Sequence, residues 1–186
     1  MDRKQIRLSG TSYAVLALLS LCGESTPYEL KQALEQTVEN FWPVPHTTFY
    51  AEPARLAAAG YLSERQEQHG RRRKLYALTD HGHTALAAWS AAPEVAAPQI
   101  RDEALLKIFA GADPQPILRA RRAWHVTKLA ELESYRDQGP GQEIEDGSGP
   151  DHALTAGIGY HQMAIGAIDG YLALLTAEET SPAAPG

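Results

Sequence analysis

Apolar positions in the first part of the chain recur at helical spacing, and helix start and stop signals flank them. Most residues of Ser9–Cys22 are apolar, which predicts a buried central helix that Gly23 ends. A second helix is predicted to begin at Thr26, because Glu29 completes the pattern of a capping box and Pro27 suits the first helical position. Its apolar stripe comprises Leu30, Leu34, Val38 and Phe41.

A third helix is predicted within His46–Ala59, with Phe49, Pro53 and Leu56 on one face. A proline inside a helix removes a hydrogen bond and costs ~3 kcal/mol. The helix therefore either begins near Tyr50, which places Pro53 in its first turn, or it is kinked at the proline. The sequence leaves both alternatives open.

The spacing then changes to the alternation of strands. Leu62–Glu67 and Lys74–Thr79 are predicted to form a β-hairpin, and Thr79 or Asp80 to cap a fourth helix that reaches about Ser90. Three helices, a two-stranded hairpin and a fourth helix form a winged helix-turn-helix. We therefore expect residues 1–90 to be a DNA-binding domain, in which the third helix enters the major groove and the hairpin is the wing.

The remainder of the chain is predicted to be helical. Residues 91–99 form a short linker, and residues 100–178 a helical region for dimerisation or effector binding, followed by a flexible tail at 179–186. Its predicted segments are a helix at Ile100–Ala110, a long helix from Asp113 or Gln115 to Asp137, a loop at Gln138–Pro150 and a last helix at Asp151–Glu178. The fold class is thus mainly α, with a small β component (α+β).

The last helix carries an a/d heptad seam, the pattern of a helix that packs lengthwise on another helix. We predict that this seam contributes to dimerisation. Its positions are Leu154, Ile158, His161, Ile165, Ile168, Leu172 and Leu175.

The charge of the chain is uneven. The formal net charge is −6, yet residues 1–90 hold ten Lys or Arg and nine Asp or Glu, whereas residues 91–186 hold seven and fourteen. DNA binding requires a basic face rather than a basic chain, so the amino-terminal half can supply that face. Four consecutive cations, from Arg71 to Lys74, lie at the predicted tip of the wing.

Several features predict a cytoplasmic protein without a membrane anchor. The single cysteine, Cys22, excludes an intrachain disulfide and suits a reducing compartment. No apolar run reaches the ~18 residues of a membrane helix. The basic residues before Tyr13–Cys22 imitate a signal peptide, but we interpret the segment as an ordinary buried helix.

Short motifs in residues 8–90 resemble the PadR family of bacterial transcriptional regulators. They are Tyr28-Glu29-Leu30, Phe41-Trp42, Phe49-Tyr50, Arg55-Leu56, Gly60-Tyr61-Leu62 and the run from Arg71 to Gly82. The resemblance is looser over residues 100–178, where that family has a variable helical dimerisation region. The family usually has leucine where this chain has Phe49 and Pro53.

The resemblance implies a homodimeric repressor that binds an inverted repeat in double-stranded DNA and is released by a small molecule or another signal. Half-sites would then be centred ~10 base pairs, or a multiple, apart. Thr47, Thr48, Ala51 and Arg55 are expected to face the groove, with Arg55 as the candidate for a guanine contact or a phosphate clamp. The residues expected at phosphate or in the minor groove are Tyr28, Tyr50, Arg71, Arg72, Arg73 and Lys74.

A small aromatic or hydrophobic effector is a further hypothesis. His161 lies on the heptad seam and has an ordinary pKa near neutrality, so it is either a sensor or a hydrogen-bonded histidine in a dimer interface. Trp124 belongs either to the core or to a ligand pocket. The candidate effector residues are Trp89, Trp124, His125, Tyr160 and His161.

Two other classes of function are alternatives to DNA binding. None of the seven histidines pairs with a cysteine or carboxylate at a recognised catalytic spacing, so we predict no enzyme, no metal site and no cofactor. The acidic balance leaves open a winged-helix adaptor that contacts proteins and does not bind DNA.

Overall fold

The computed structural model describes residues 6–68, 72–98, 100–138 and 147–180. The chain divides into two compact units, Met1–Ala96 and Ala97–Gly186. The division falls inside residues 91–99, the segment predicted to be a linker.

The amino-terminal unit is a winged helix-turn-helix, as predicted. Strands β1 and β2 are antiparallel, with Leu62 opposite Leu78 and Gln66 opposite Lys74. A single bridge between Ser25 and Tyr76 joins β2 to the segment before α2. The elements are α1 (Gly10–Cys22), α2 (Pro27–Gln36), a 3-10 helix (Val38–Asn40), α3 (His46–Ala58), β1 (Leu62–Gln66), β2 (Lys74–Leu78) and α4 (Asp80–Ala91).

Side-chain caps fix the starts of the helices. At α2 the Thr26 hydroxyl accepts from the Glu29 amide at 3.2 Å, and the Glu29 carboxylate accepts from the Thr26 amide at 2.8 Å, which confirms the capping box. The Thr79 hydroxyl likewise accepts from the amide of Gly82 at the start of α4. Such caps satisfy backbone donors that the first helical turn leaves free.

The core of this unit gathers around α1, which confirms its predicted central position. Leu16 of α1, Leu30 and Leu34 of α2, and Phe49 and Leu56 of α3 are all fully buried. Burying each of these side chains contributes ~1.5–3 kcal/mol, so α3 is held to the unit by its apolar face.

The predicted apolar stripe of α2 is wrong at its carboxyl end. The helix stops at Gln36, Val38 belongs to the 3-10 helix, and Phe41 is 61% exposed. The Thr37 hydroxyl donates to the carbonyl of Ala33 at 2.6 Å, and its backbone is no longer helical. Threonine side chains compete in this way with helix continuation.

Helix α3 begins at His46, so the alternative in which it begins near Tyr50 is wrong. Pro53 therefore lies in the helix interior, where its ring is fully buried. Because proline has no amide hydrogen, it cannot donate to the carbonyl of Phe49. The sequence contains no capping residue that would have located this start, since Pro45 precedes the helix without a side-chain cap.

The carboxy-terminal unit consists of α5 (Glu103–Phe109), α6 (Pro114–Gln138) and α7 (Gly149–Thr180). Helices α6 and α7 pack along each other, and the Arg122–Asp169 ion pair joins them. Within the predicted loop Gln138–Pro150, residues 139–146 lie outside the described part, and the last two residues belong to α7. In the predicted tail, 181–186 also lie outside it.

The heptad seam of α7 is buried against α6 within one chain at two positions. Ile158 is 5% and His161 6% exposed, and the other five seam residues are half-buried. The seam therefore serves packing inside the protomer at Ile158 and His161, and its role in dimerisation stays a prediction. On α5, by contrast, Leu105, Leu106 and Phe109 are exposed. Among the described residues, every helix is too short or too polar to cross a membrane.

Candidate nucleic-acid interface

Helix α3 has one face in the core and one face in solvent. Phe49, Pro53 and Leu56 are buried, whereas Thr47 and Thr48 point outward at the start of the helix. Tyr50 is 42% exposed and Ala51 is also exposed. Of these outward residues, Thr47, Thr48 and Ala51 were predicted to face the major groove, and Tyr50 to contact phosphate. Small hydroxyl and methyl groups near the amino-terminal end of a recognition helix suit contacts with base edges and phosphates.

Arg55 is the exception among the residues predicted to face the groove. Its Nε and Nη2 donate to the two carboxylate oxygens of Glu52 at 2.8 and 2.6 Å, and Nη2 also donates to the Ser12 hydroxyl at 2.9 Å. Glu52 is only 6% exposed. The guanidinium is thus bound to α1 and to its own helix, and any base contact requires that it leave these partners.

The charge state of Glu52 follows from this pairing. Burial disfavours its carboxylate, but the hydrogen bonds from Arg55 and Ser12 outweigh that penalty and lower its pKa. Glu52 is consequently ionised at neutral pH and holds Arg55 in place. Glu52 was not among the predicted site residues, although Glu52 and Arg55 stand at the i, i+3 spacing of helical ion pairs.

Tyr28 lies on α2 and is 62% exposed. Its phenolic oxygen accepts a hydrogen bond from the side chain of Gln32 at 3.3 Å. The hydroxyl hydrogen remains available to an external acceptor, as the predicted phosphate contact requires.

Carboxylates accompany the cations of the wing. Lys74 lies 2.8 Å from Glu64, Arg73 lies 2.8 Å from Glu67, and Arg73 is 3.8 Å from Glu29. The hydrogen bond from Arg73 lowers the pKa of Glu67, so this carboxylate is charged. The wing is therefore less positive than its run of cations predicts. The antiparallel register pairs Gln66 with Lys74, which brings Glu67 beside Arg73 just beyond the strands and leaves Glu64 two positions from Lys74.

Arg72 occupies the turn of the wing. Its φ of 48° lies in the left-handed region, and its side chain is exposed. Arg71, the first predicted wing cation, lies outside the described residues. On β1, Arg65 forms an ion pair with Glu24, a wing cation that sequence analysis did not assign.

Four of the five candidate effector residues lie together in the carboxy-terminal unit, and we call Trp124, His125, Tyr160 and His161 the aromatic cluster. The ring centroids of His125 and His161 are 5.1 Å apart, and Trp124 lies 4.9 Å from His125. Trp124 and Tyr160 are 45% and 53% exposed, whereas both histidines are buried. The fifth candidate, Trp89, belongs to α4, where it stacks on Tyr13.

Arg121 and Asp102 border the aromatic cluster, and sequence analysis missed both. The guanidinium of Arg121 lies 4.9 Å from the ring centroid of Trp124 and forms an ion pair with Asp102, the residue that caps α5. Their separation of 19 residues gives no local signal. Among the described residues, no group of three or more metal-ligating side chains occurs.

Two family models match the chain. Residues 15–88 match the transcriptional regulator PadR-like family, and residues 100–176 match the virulence activator alpha C-term family. A similar protein is the negative transcriptional regulator PadR of Bacillus subtilis, which is 29% identical over 99 residues. That alignment covers 52% of this chain and 54% of the relative, so it spans about half the length of the curated relative.

Solved structures share the fold of the chain. Bacillus subtilis PadR in complex with operator DNA has a TM-score of 0.75 at 21% identity, and covers 91% of this chain and 99% of its own. Bacillus subtilis PadR in complex with p-coumaric acid has a TM-score of 0.69 at 21% identity, with the same coverage. The matched family is one of transcriptional regulators rather than enzymes. Through its winged helix-turn-helix, the chain carries a domain of the transcriptional regulator PadR-like family, over residues 15–88.

Proposed function

We propose that the protein is a homodimeric, sequence-specific DNA-binding repressor that binds an inverted repeat and is released by a small aromatic molecule. The observation that carries this proposal is the two-faced helix α3. Its inner face is locked into the core, and its outer face presents Thr47, Thr48, Tyr50 and Ala51 to solvent. Because the buried inner face fixes the backbone of this helix, binding to a groove has to order only its outward side chains, which lowers the cost of binding.

The wing supplies contacts that do not depend on sequence. Arg72 is exposed at the turn, and Arg73 and Lys74 follow it on β2. Phosphate oxygens can compete with Glu67 and Glu64 for these cations, because exposed ion pairs contribute only ~0–1 kcal/mol. Bacillus subtilis PadR, which shares this fold, has been crystallised with operator DNA.

A dimer follows from the small footprint of one winged helix. One recognition helix reads few base pairs, so two copies related by a two-fold axis double the contacts and favour a pseudo-palindromic site. We expect half-sites centred ~10 base pairs, or a multiple, apart. The carboxy-terminal unit is the proposed site of pairing, through the half-buried positions of the α7 seam.

The aromatic cluster is the proposed effector site. Trp124 and Tyr160 expose about half of their rings beside two buried histidines, and Arg121 lies over Trp124. Aromatic rings with a few polar groups suit a small aromatic molecule. Bacillus subtilis PadR, with the same fold, has been crystallised with p-coumaric acid.

The wing is tested by the salt dependence of DNA binding. Each phosphate contact contributes ~0.9 to the slope of log K against log salt. We expect Arg72→Ala to weaken binding to all duplexes and to reduce the slope by about 0.9. Arg136→Ala, an exposed arginine of the other unit, is the matched control and leaves the slope unchanged.

An unchanged slope in Arg72→Ala removes the wing from the interface. Failure of the wild-type chain to shift any duplex at low salt contradicts DNA binding as a whole. That second outcome favours the winged-helix adaptor, because paired wing cations and a net charge of −6 suit a surface that binds proteins.

A further inference from the structure

Two histidines meet in the interior of the α6–α7 hairpin. His125 of α6 is 3% exposed and His161 of α7 is 6% exposed. Their Nδ1 atoms lie 2.9 Å apart, a hydrogen-bonding distance. This contact joins the two long helices near the middle of their packed length. The two histidines are 36 residues apart in sequence.

A hydrogen bond between two Nδ1 atoms fixes the protonation of both rings. One ring must carry its hydrogen on Nδ1 and donate, and the other must have a free Nδ1 lone pair and accept. One extra proton places a charge in a buried site, and a second proton removes the acceptor. Two imidazolium rings would point N–H groups at each other across this distance, so the fully protonated pair cannot keep its geometry.

The surroundings offset a charge on the pair only in part, and burial outweighs the attraction of the neighbouring carboxylates. The acidic groups that face it are Asp102 before α5 and Glu131 of α6, and they are paired with Arg121 and Lys128. From α7 the neighbouring polar ring is Tyr160. Every charged group that borders the pair within the described residues is thus already engaged by a group of opposite sign.

We propose that the His125–His161 pair is a proton-operated latch between α6 and α7, which holds the hairpin closed when both rings are neutral and releases it on acidification. The proposal does not rest on DNA binding or on an aromatic effector. It assigns to the carboxy-terminal unit a sensitivity to pH that is set by its own core.

The expected pH window follows from linkage. Burial, followed by the neighbouring ring and Arg121, lowers the pKa of His125, and burial followed by Lys128 lowers that of His161. The unfolded chain therefore binds protons at a higher pH than the folded hairpin. Stability is complete above ~6.5, the ordinary histidine pKa, and falls as the pH drops from there through the folded values. Each histidine can raise the unfolding constant ~tenfold per pH unit in this window.

Imidazole ¹⁵N spectra of the full-length chain test the geometry directly. At pH 7.5 we expect His125 and His161 to show opposite tautomers, with one ring protonated on Nδ1 and the other on Nε2. Both should titrate below ~6.5. Identical Nε2–H tautomers, or a midpoint at or above that value for both rings, overturn the proposal without any substitution.

Unfolding by urea tests the latch. In a chain carrying Trp42→Phe and Trp89→Phe, Trp124 is the remaining tryptophan and reports on the hairpin. Asparagine places an amide near the position of Nδ1 but does not titrate. We expect His125→Asn/His161→Asn to lose the steep fall of stability between pH 7 and 5, whereas His152→Asn, at an exposed position of α7, keeps it. Equal pH slopes in the double variant and in the control contradict the latch.

Discussion

At the residue scale, Arg55 lies on the helix predicted to contact DNA, but its side chain stabilises the domain. The side chain stands on the recognition helix, yet its guanidinium is bidentate to Glu52 and also bonded to Ser12 of α1. A buried carboxylate needs such a partner, because an unpaired charge in the interior is costly. The pairing ties α3 to α1 and so fixes the angle at which the helix presents its outer face.

This interpretation predicts that Arg55→Ala acts on stability before it acts on sequence preference. Removal of one partner from a fully buried ion pair lowers the free energy of unfolding by ~3–5 kcal/mol. Because Arg55 is partly exposed, we expect a smaller loss of about 2 kcal/mol, measured by urea unfolding. The ratio of specific to non-specific DNA binding should stay unchanged. A variant of normal stability that loses discrimination at one base pair would instead identify Arg55 as a guanine contact.

In the first turn of α4, the backbone of Tyr61 lies so close to Gly82 that only glycine fits at this position. A Cβ there would clash with the carbonyl oxygen of Tyr61 and come within 2.9 Å of Leu78. We expect Gly82→Ala to lower the free energy of unfolding by about 3 kcal/mol, since backbone atoms cannot move aside. Thermal unfolding of the full chain measures the loss.

Gly10 provides the matched control for Gly82. An added Cβ there meets the ring of Trp42, which is 48% exposed and can swing outward. Gly10→Ala should therefore cost less than about 1 kcal/mol, because alanine also favours the helix. If Gly82→Ala and Gly10→Ala lowered the free energy of unfolding equally, a backbone neighbour would be no more restrictive than a side-chain neighbour, and the prediction would be wrong.

At the scale of elements, α3 contains a proline, Pro53, in its interior, where proline is unfavourable. The helix runs through Pro53, which gives up a backbone hydrogen bond in exchange for a buried ring. By contrast, Pro27 begins α2, where no intrahelical donor is needed. The same amino acid is thus costly in one helix and favourable in the other.

We predict that Pro53→Ala stabilises the amino-terminal unit by about 1 kcal/mol, because the recovered hydrogen bond outweighs the lost apolar contacts. Pro27→Ala should give no gain, since the restored amide has no acceptor in the first turn. Urea midpoints of the two variants and the wild type measure this difference. A loss of stability in Pro53→Ala would mean that the apolar contacts of the ring stabilise the unit more than the recovered backbone hydrogen bond does.

The elements also show what the sequence alone could predict. Capping boxes, the hairpin and the heptad seam are local patterns, and Thr26 with Glu29 specified the start of α2 to the residue. The end of α2 at Gln36 escaped prediction, because the Thr37 hydroxyl overrides the apolar periodicity. The pairing of Arg73 with Glu67, and that of His125 with His161, depend on which segments the fold brings together.

At the scale of the whole molecule, charge and chemistry are divided between the two units. The amino-terminal unit carries the outward face of α3 and the wing, whereas the aromatic cluster and the long α6–α7 hairpin belong to the carboxy-terminal unit. The separation places a candidate reader of DNA and a candidate sensor in different compact bodies. An acidic carboxy-terminal half, with seven basic and fourteen acidic residues in 91–186, also disfavours non-specific contact with DNA.

The central claim, that the chain reads double-stranded DNA as a pair of winged helices, is tested most directly by selection from a pool of random duplexes followed by footprinting of the enriched sites. We expect an inverted repeat with half-sites centred ~10 base pairs, or a multiple, apart, protected by two chains per duplex. A pool that shows no enrichment, or a site that a single chain protects without symmetry, contradicts the account.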